Sequence, residues 1–528
     1  MKQIFLLLCF LPLILHGQPV ISPIVPAPEQ IVYQEGAYLF PKELRVYLGK
    51  NIHTFRYIKV ELEKRFGIRV TQVKNQRQAD CVLLNANRNK ESEAYVLTIG
   101  RDRIEIQADS ERGIFYAFQS LLQLMNNSQT KPIQLAVQSI KDSPRFSWRS
   151  FMLDEARFFK GETEVLRLLD VMAELKMNVF HWHLTDDQGW RIEIKKYPRL
   201  TQIGSKRKDS QAGHFNSKTY IGEAHEGFYT QKQIKRILAY ARERHIKVVP
   251  EIEMPGHATA AIASYPWLGS SDEKVEVATR FGKLYSVFNV VDPRVQGFLK
   301  DVVAEVIQLF QCEVIHIGGD EVRFNQWEEN PVIADYKQKK GFTSYMDIQI
   351  EFTNQMSRFI QERGCRMMGW NEILGTNLHA DDNIAFSNPT QKIASNVVVQ
   401  FWKGDLEEMK KAAKNGYQLV NSLHSYTYLD YADETTSLSK TYNFNPIPQG
   451  LPQEYEKNII GMGAQMWGEF IPTVEQMNKR IYPRIAALAE VAWSKNKNGY
   501  DDFLSRLPGM KKRWGEQGIL LKDQDSRK

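Results

Sequence analysis

The chain has 528 residues, of which 43% are hydrophobic and 25% are charged. Its 69 basic and 62 acidic residues give a formal net charge of +7, with both signs interspersed along the sequence. This balance is typical of a soluble globular protein with room for two or more domains, and no basic block is long enough to indicate a nucleic-acid partner.

The first residues differ in character from the rest. Lys2 precedes an apolar stretch over residues 4–15, and residues 16–18 follow as a cleavage zone. This pattern is typical of a secretory signal peptide over residues 1–18, and the stretch is too short to span a bilayer as a helix. No later stretch predicts a membrane span, so we expect an exported protein, periplasmic or secreted.

Three cysteines remain after that segment, at positions 81, 312 and 365. They are widely spaced and form neither a metal-binding motif nor a disulfide framework. We therefore expect three buried thiols, no metal site and no cofactor.

Residues 19–143 have mixed α/β character and carry no catalytic constellation. The predicted elements are a helix over 57–66, a strand over 81–84, a hairpin of strands over 94–100 and 103–108, and a helix over 111–125. This predicts a small α/β domain in front of a larger one.

After residue 143 the pattern changes to a repeated cycle of strand, loop and helix. The eight candidate strands cover 150–154, 178–184, 247–252, 313–317, 366–370, 397–402, 418–422 and 461–467. Amphipathic helices fall between them, with apolar stripes over 165–175, 234–241 and 302–310 and a last helix over 475–494.

Eight strands that alternate with helices predict a (β/α)8 TIM barrel over residues 144–495. A helical, polar tail is expected over 496–528. A doubly wound open sheet is the alternative, but no glycine-rich nucleotide fingerprint follows the first strand.

Acids, histidines and tryptophans collect where the predicted barrel strands end, which is where barrel enzymes carry their active sites. Trp370, Trp402 and Trp467 occupy equivalent strand ends. Aromatic faces stack on the C–H surface of a sugar, and carboxylates and arginine bind its hydroxyls. The pattern therefore favours a carbohydrate-binding cleft.

Two adjacent carboxylates, Asp320 and Glu321, follow the fourth strand after Gly318 and Gly319. Neighbouring acids repel each other, which raises the pKa of one of them. A raised carboxyl pKa beside an ionised partner suits acid/base chemistry near neutral pH. On spacing alone, a strand end with two solvated acids remains the alternative.

The segment from His316 to Glu321 (HIGGDE) resembles the signature of the family 20 glycoside hydrolases, the β-N-acetylhexosaminidases. Residues 181–191 (HWHLTDDQGWR) and 254–258 (MPGHA) are similar to two more blocks of that family, and the resemblance covers nearly all of the chain after residue 18. It implies an exported bacterial enzyme that acts on N-acetylhexosamine-containing oligosaccharides or glycoconjugates. Hydrolysis would release terminal β-linked GlcNAc or GalNAc with retention of the anomeric configuration. The substrate's own acetamido group would be the nucleophile.

The resemblance also implies roles for single residues. Glu321 is expected to be the general acid and then the base, while Asp320 binds the acetamido N–H and Tyr428 donates to the acetamido oxygen. The expected substrate-binding residues are Arg157, Asp430 and Glu469 for ring hydroxyls, Trp370, Trp402 and Trp467 for the acetamido pocket, and Asp186, Asp187, His257 and His316 for a supporting polar network. Glu253 departs from the family pattern, which has Asp there, so the role of this position is left open.

Two other classes of function are weighed. A metal-dependent hydrolase on the same barrel would use His181, His183, Asp186, His257, His316 and Asp320 as zinc ligands, but this leaves the tryptophans without a role. A glycan-binding protein without activity has no use for a protonatable acid at the bond. The preference between GlcNAc and GalNAc and the acceptance of sulfated sugars stay open.

Overall fold

A computed structural model describes residues 22–49, 53–86, 88–375 and 389–521 of the chain. The predicted signal peptide, residues 1–18, lies outside the described residues. Within the described ranges, no helix has both the length and the apolar character needed to cross a bilayer.

The N-terminal part is a mixed seven-stranded sheet with two helices. Its strands are Gln30–Leu39, Glu43–Leu48, Arg69–Val73, Cys81–Asn85, Tyr95–Ile99, Ile104–Ala108 and Gln134–Asp142, and its helices are Phe55–Phe66 and Glu111–Asn126. The strand order in the sheet is first, seventh, fifth, sixth, fourth, second, third. The predicted hairpin is confirmed, because residues 95–99 pair antiparallel with residues 104–108.

Four strands of this sheet have no counterpart in the sequence prediction. The first, Gln30–Leu39, is mostly exposed, so it lacks the alternation of apolar and polar residues that marks a half-buried strand. Its place is set by pairing with Gln134–Asp142 across the sheet, a contact between distant parts of the chain that local patterns do not contain.

Eight parallel strands form a closed barrel, which confirms the predicted (β/α)8 fold. They are Trp148–Asp154, Val179–His183, Lys247–Glu251, Val314–His316, Arg366–Trp370, Val398–Phe401, Gln418–Asn421 and Ile459–Met466. The last strand pairs with the first, and Gly461 lies opposite Trp148. Parallel strands buried on both faces have nearly continuous apolar sequences, which is why all eight could be located in advance.

Helices and helical turns connect these strands around the outside. They cover Glu162–Glu174, Arg199–Gln202, Gln231–Arg242, Thr259–Ser264, Pro293–Phe310, Asn325–Glu329, Pro331–Lys339, Tyr345–Gln361, Leu406–Lys414, His424–Thr427, Leu438–Tyr442, Gln453–Glu456, Val474–Ile481 and Arg484–Trp493. Each longer helix buries its predicted stripe, as Val302 and Val306 do in Pro293–Phe310.

The prediction of one helix over 475–494 is wrong, because the structure has two helices, Val474–Ile481 and Arg484–Trp493. Pro483 lies between them. Proline lacks the N–H that a helix interior requires, and its ring clashes with the preceding turn.

The final helix, Tyr500–Glu516, returns to the start of the described chain. Arg506 Nη1 donates to the carbonyl oxygen of Ile24 at 2.9 Å, and Nη2 forms an ion pair with Glu490 at 2.6 Å. Trp514 is fully buried. The helix therefore links the N-terminal part to the last helix of the barrel.

Buried ion pairs join the N-terminal sheet to the barrel. Lys176 Nζ lies 2.9 Å from Asp142 Oδ2, and Arg149 Nη1 lies 2.6 Å from Glu93 Oε2. All four side chains are almost completely excluded from solvent. Such pairs hold two surfaces in one relative orientation, because either charge left alone in this environment is costly.

Candidate active site

The residues that follow the barrel strands surround a cleft with a volume of about 710 Å³. Nine of the predicted site residues line it, namely Arg157, His257, Asp320, Glu321, Trp402, Tyr428, Asp430, Trp467 and Glu469. The other four, Asp186, Asp187, His316 and Trp370, are buried and are absent from the lining. The contacts described below place them beneath the cleft.

A larger groove, of about 1010 Å³, lies between helix Phe55–Phe66 and the final helix. Its charged groups largely satisfy one another, as Arg513 does with Glu174 at 2.8 Å and Arg244 with Asp170 at 2.7 Å. None of the predicted site residues lines it. We therefore place the candidate site in the smaller cleft.

Asp320 and Glu321 are presented by an unusual backbone. Gly318, Gly319 and Glu321 all have positive φ, of 68°, 90° and 51°. A non-glycine residue in this region costs on the order of 1 kcal/mol or more and is typical of functional sites. A Cβ on Gly318 would overlap the carboxylate of Glu253, so glycine is required there both by conformation and by space.

The carboxyl group of Asp320 is buried, and this raises its pKa well above the ordinary range. His257 opposes the shift, and the nearby acids Glu372 and Glu321 add to it. Its Oδ1 has no hydrogen-bond partner within the described protein. Asp320 is therefore a buried acceptor that a donor from a bound molecule can satisfy.

His257 connects the two acids to a deeper charged group. Its Nε2 lies 3.8 Å from both Asp320 Oδ2 and Glu321 Oε2, and its Nδ1 lies 3.2 Å from both Asp186 Oδ1 and Asp187 Oδ2. Burial disfavours the charged imidazole, but Asp186 and its neighbours outweigh that effect and raise the pKa of His257 well above its usual value. The ring is thus a cation at neutral pH.

Arg157 joins the ends of the first, second and eighth barrel strands. Its guanidinium lies 3.1 Å from Asp154, 2.8 Å from Asp186 and 3.5 Å from Glu469, and it covers the ring of Trp467 at 5.0 Å. A planar guanidinium with five donors suits this multiple contact. The contact holds Glu469 at the cleft wall. The guanidinium also lines the cleft, where it can donate hydrogen bonds to the hydroxyl groups of a bound sugar.

Asp430 and Glu469 form the acidic part of the same wall. Burial, followed by the charge of Glu469, raises the pKa of Asp430 to about 8. Burial also raises the pKa of Glu469, and Arg157 opposes this. Both groups are suited to hydrogen bonding with sugar hydroxyls, which supply a donor and an acceptor each.

Aromatic side chains form a box next to Asp320. Trp402 and Tyr428 are stacked with ring centroids 6.0 Å apart and an interplanar angle of 11°. Trp467 lies 6.1 Å from Tyr428 and 5.8 Å from Trp370. Burial raises the pKa of Tyr428 well above its usual value, so its phenol stays protonated and can donate a hydrogen bond.

Beneath this box, Glu251 is the centre of a buried polar network. It accepts from Trp370 Nε1 at 2.8 Å, contacts His183 Nδ1 at 2.6 Å, and lies 2.8 Å from both His316 Nδ1 and His181 Nε2. Neither the sequence patterns nor the family resemblance indicated a role for Glu251 or His183 in the glycosidase site. The available signal was their position, since each ends a barrel strand.

Parts of this network have the composition of metal sites. Ligand atoms lie within 4.8 Å of one another in the groups His181, Glu251, His316, then His183, Glu251, Glu253, and then Asp186, Asp187, His257. However, Glu251 is already matched by imidazole and indole donors, and Asp186 by Arg157 at 2.8 Å. Glu251 and Asp186 therefore have partners within the protein, and nothing favours the metal-dependent alternative.

Glu253, the departure from the family pattern, is only 2% exposed. Neither carboxylate oxygen has a hydrogen-bond partner in the described protein, and Oε1 lies 3.9 Å from His183 Nδ1. Burial, then the charges of Asp320 and Glu251, raises the pKa of Glu253 well above the usual value. This environment favours the neutral form of the carboxyl group, which lies against Gly318.

Comparisons with known proteins agree with this arrangement. Residues 146–496 match the model for the glycosyl hydrolase family 20 catalytic domain, and residues 22–143 match that for domain 2 of the same family. The chain is 34% identical over 445 residues to a β-hexosaminidase of Porphyromonas gingivalis, and 34% identical over 426 residues to one of Vibrio furnissii. These matches cover 81% and 77% of this chain, but only 54% and 66% of the two relatives.

Among solved structures, the chain resembles an exo-β-N-acetylglucosaminidase from Vibrio harveyi in complex with N-acetylglucosamine. The TM-score is 0.83 at 30% sequence identity, and the match covers 95% of this chain and 78% of that one. The likeness therefore includes the N-terminal sheet as well as the barrel.

Proposed function

The chain belongs to glycosyl hydrolase family 20, and we propose that it is an exo-acting β-N-acetylhexosaminidase. It hydrolyses terminal, non-reducing β-linked GlcNAc or GalNAc in glycans, with retention of configuration. The observation that carries this proposal is that Asp320 and Glu321 share one cleft with the aromatic box of Trp402, Tyr428 and Trp467.

The arrangement of the two acids supports substrate-assisted catalysis. Asp320 and Glu321 lie at the same distance, 3.8 Å, from one nitrogen of His257. As neighbours in the chain at one strand end they make a poor flanking pair, since successive side chains point in different directions, whereas ordinary glycosidases place two carboxyls on opposite sides of the bond. This favours the acetamido oxygen of the substrate as the nucleophile, which is the mechanism that the resemblance to family 20 implies.

In the first step, Glu321 gives its proton to the glycosidic oxygen while the acetamido oxygen attacks C1. The C1–oxygen bond to the leaving sugar breaks, and an oxazolinium ring forms. Asp320, as the anion, accepts from the acetamido N–H and stabilises the positive charge that develops there. Tyr428, kept protonated by burial, donates to the acetamido oxygen and orients it.

In the second step, the Glu321 carboxylate takes a proton from water. The oxygen of that water attacks C1 from the face that the leaving group occupied, and the oxazolinium ring opens to restore the acetamido group. Two inversions give net retention. Arg157, Glu469 and Asp430 hold the hydroxyls of the terminal sugar in both steps. The buried His257 holds the carboxyl groups of Asp320 and Glu321 in position.

The direct test compares hydrolysis of two aryl β-glycosides by the purified protein, an N-acetylglucosaminide and the corresponding glucoside. We expect cleavage of the first alone, because the glucoside has no acetamido nucleophile. Asp320→Asn should lower kcat by about 100-fold or more, since the variant keeps the shape but loses the charge that stabilises the intermediate. Equal cleavage of both glycosides would require a protein nucleophile and would overturn the mechanism.

We also propose that the protein is exported to the periplasm or beyond, with residues 1–18 removed. The support is the signal-like pattern of that segment. N-terminal sequencing of the protein recovered from the producing cell tests this, since a chain that still begins at Met1 would contradict it.

A further inference from the structure

Two cations border the predicted general acid. Lys283 Nζ lies 4.0 Å from Glu321 Oε1, and Arg323 follows Glu321 by two residues. Both side chains line the cleft. In the proposed mechanism, Glu321 protonates the oxygen between the terminal sugar and the leaving-group sugar. Cleft residues next to Glu321, such as Lys283 and Arg323, are therefore placed near the leaving-group sugar.

Arg323 is also part of an exposed aromatic contact. Its guanidinium carbon lies 4.9 Å from the centre of the Tyr285 ring, and Tyr285 is 49% exposed. Tyr285 does not line the cleft itself, but its ring lies against the cleft-lining guanidinium of Arg323 and so helps to position that cation. The apolar core gains little from Tyr285 in this position.

The charges in the cleft are divided between two regions. Arg157 lies among the carboxylates of Asp154, Asp186 and Glu469. The charges at the end proposed to hold the terminal sugar are therefore paired with one another. Four further cations line the cleft, namely Arg280, Lys283, Arg323 and Arg480. Two of them, Lys283 and Arg323, lie close to Glu321, so an anionic group on the leaving-group sugar would meet groups of opposite charge there.

We propose that the sugar in the leaving-group position carries an anionic group, a uronic acid carboxylate or a sulfate ester, and that Lys283 and Arg323 bind it. This inference rests on the proposed function, since it concerns the substrate of the same cleft. Both side chains have further contacts within the protein, so the proposal depends on their charge and position. Guanidinium and ammonium groups form stronger hydrogen bonds to such anions than to neutral hydroxyls.

The test uses three disaccharides that share the same β1,4-linked terminal GlcNAc. The second sugar, as its methyl glycoside, is glucose, glucuronic acid or glucose 6-sulfate. The first two differ only in a hydroxymethyl group against a carboxylate, and the third distinguishes sulfate from carboxylate as the source of charge. We expect kcat/KM for at least one anionic substrate to exceed that for the neutral one by about tenfold or more.

Single-residue variants test which side chains cause the preference for an anionic leaving-group sugar. Lys283→Gln and Arg323→Gln should each lower the ratio of anionic to neutral kcat/KM severalfold, whereas Lys283→Arg keeps most of it. The ratio is the readout because Lys283 lies close to Glu321, and its loss alters turnover of every substrate. Lys339→Gln, at an exposed position that pairs with Asp335 on a surface helix, is the matched control and should leave the ratio unchanged.

The outcomes are distinct for the two proposals. No cleavage of the aryl N-acetylglucosaminide would overturn the proposed function itself. Cleavage of that glycoside with no anionic preference among the disaccharides, or with none of them hydrolysed, would overturn this inference and leave the proposed function intact. A preference that persists in both glutamine variants would contradict the assignment to Lys283 and Arg323.

Discussion

The imidazole of His257 lies 3.8 Å from the carboxylate of Asp320, while its other nitrogen faces Asp186 and Asp187. Asp186 in turn contacts Arg157 at 2.8 Å. Charges of alternating sign thus run from Asp320, the acid proposed to bind the acetamido group, to Arg157, the arginine proposed to hold the sugar. A change at His257 should therefore be detected in the titration of Asp320.

We predict that His257→Gln moves the acidic limb of the pH profile of kcat/KM to higher pH. Asp320 must be ionised to act, and the cation of His257 lowers its pKa against the effect of burial. Without that cation the pKa of Asp320 rises, the ionised fraction falls at a given pH, and the limb moves up by about 1 to 3 units. Initial rates on an aryl N-acetylglucosaminide between acidic and neutral pH measure the shift, and an unmoved limb would contradict the coupling.

Glu321→Gln should affect substrates in proportion to their need for a proton. With a sugar as leaving group we expect kcat/KM to fall by about 100- to 10,000-fold, the range for loss of general acid catalysis. With 2,4-dinitrophenol, which departs as a stable anion, the loss in the first step should be much smaller. Rates for a series of aryl leaving groups test this, and a uniform loss across the series would assign Glu321 a different role.

The barrel and much of the cleft could be predicted because both depend on local sequence. Apolar runs locate the strands, and Asp320 and Trp402 follow such runs closely, whereas Tyr428 comes seven residues after its strand, beyond the turn His424–Thr427. Trp370 also ends a strand, but its indole points to Glu251 below the cleft. Whether a strand-end residue faces the cleft or the interior depends on how eight strands close on one another, which no single segment determines.

The positions of Lys283 and Arg323 and the raised pKa of Glu253 could not be predicted from the sequence, for different reasons. Lys283 lies in a loop without periodicity, so nothing in its sequence surroundings associates it with Glu321. Arg323 follows Glu321 by two residues, but the sequence does not fix the direction of its side chain. The raised pKa of Glu253 follows from its burial beside Asp320 and Glu251, and these residues come together only in the folded barrel. Pro483 is the opposite case, since its effect on the helix over 475–494 could have been recognised in advance.

Gly318→Ala should destabilise the protein by about 2 kcal/mol or more, because its Cβ overlaps Glu253 and the backbone is left-handed. Glu253→Ala removes the overlapping carboxylate. The double variant should therefore lose less stability than the sum of the two single variants, with a coupling of about 0.5 to 3 kcal/mol. Urea unfolding of the four proteins measures this cycle, and strictly additive losses would show that the overlap is relieved in another way.

Lys176→Met should reduce the free energy of unfolding by about 3 to 5 kcal/mol, because Asp142 is then a buried charge without its cation. The catalytic rate per folded molecule should not change, since Lys176 lies away from the cleft. Lys196→Met is the matched control. Lys196 also pairs with an aspartate, Asp301, but its side chain is 59% exposed, and its loss should cost about 1 kcal/mol or less.

Equal losses for these two lysine variants would contradict a structural role for the buried pair. A drop in kcat for Lys176→Met at full folding would instead show that the N-terminal sheet influences the cleft through the barrel. Denaturant unfolding and single-turnover rates on the same preparations separate the two outcomes.

The contact between Arg506 and the carbonyl oxygen of Ile24 joins positions 482 residues apart. A ribosome completes Arg506 only after all eight barrel strands have been made. The whole barrel is therefore synthesised after the residues around Ile24 and before the helix that contacts them. During that interval the carbonyl oxygen of Ile24 lacks its guanidinium donor, so the first described residues reach their final contacts only after the last helix has left the ribosome.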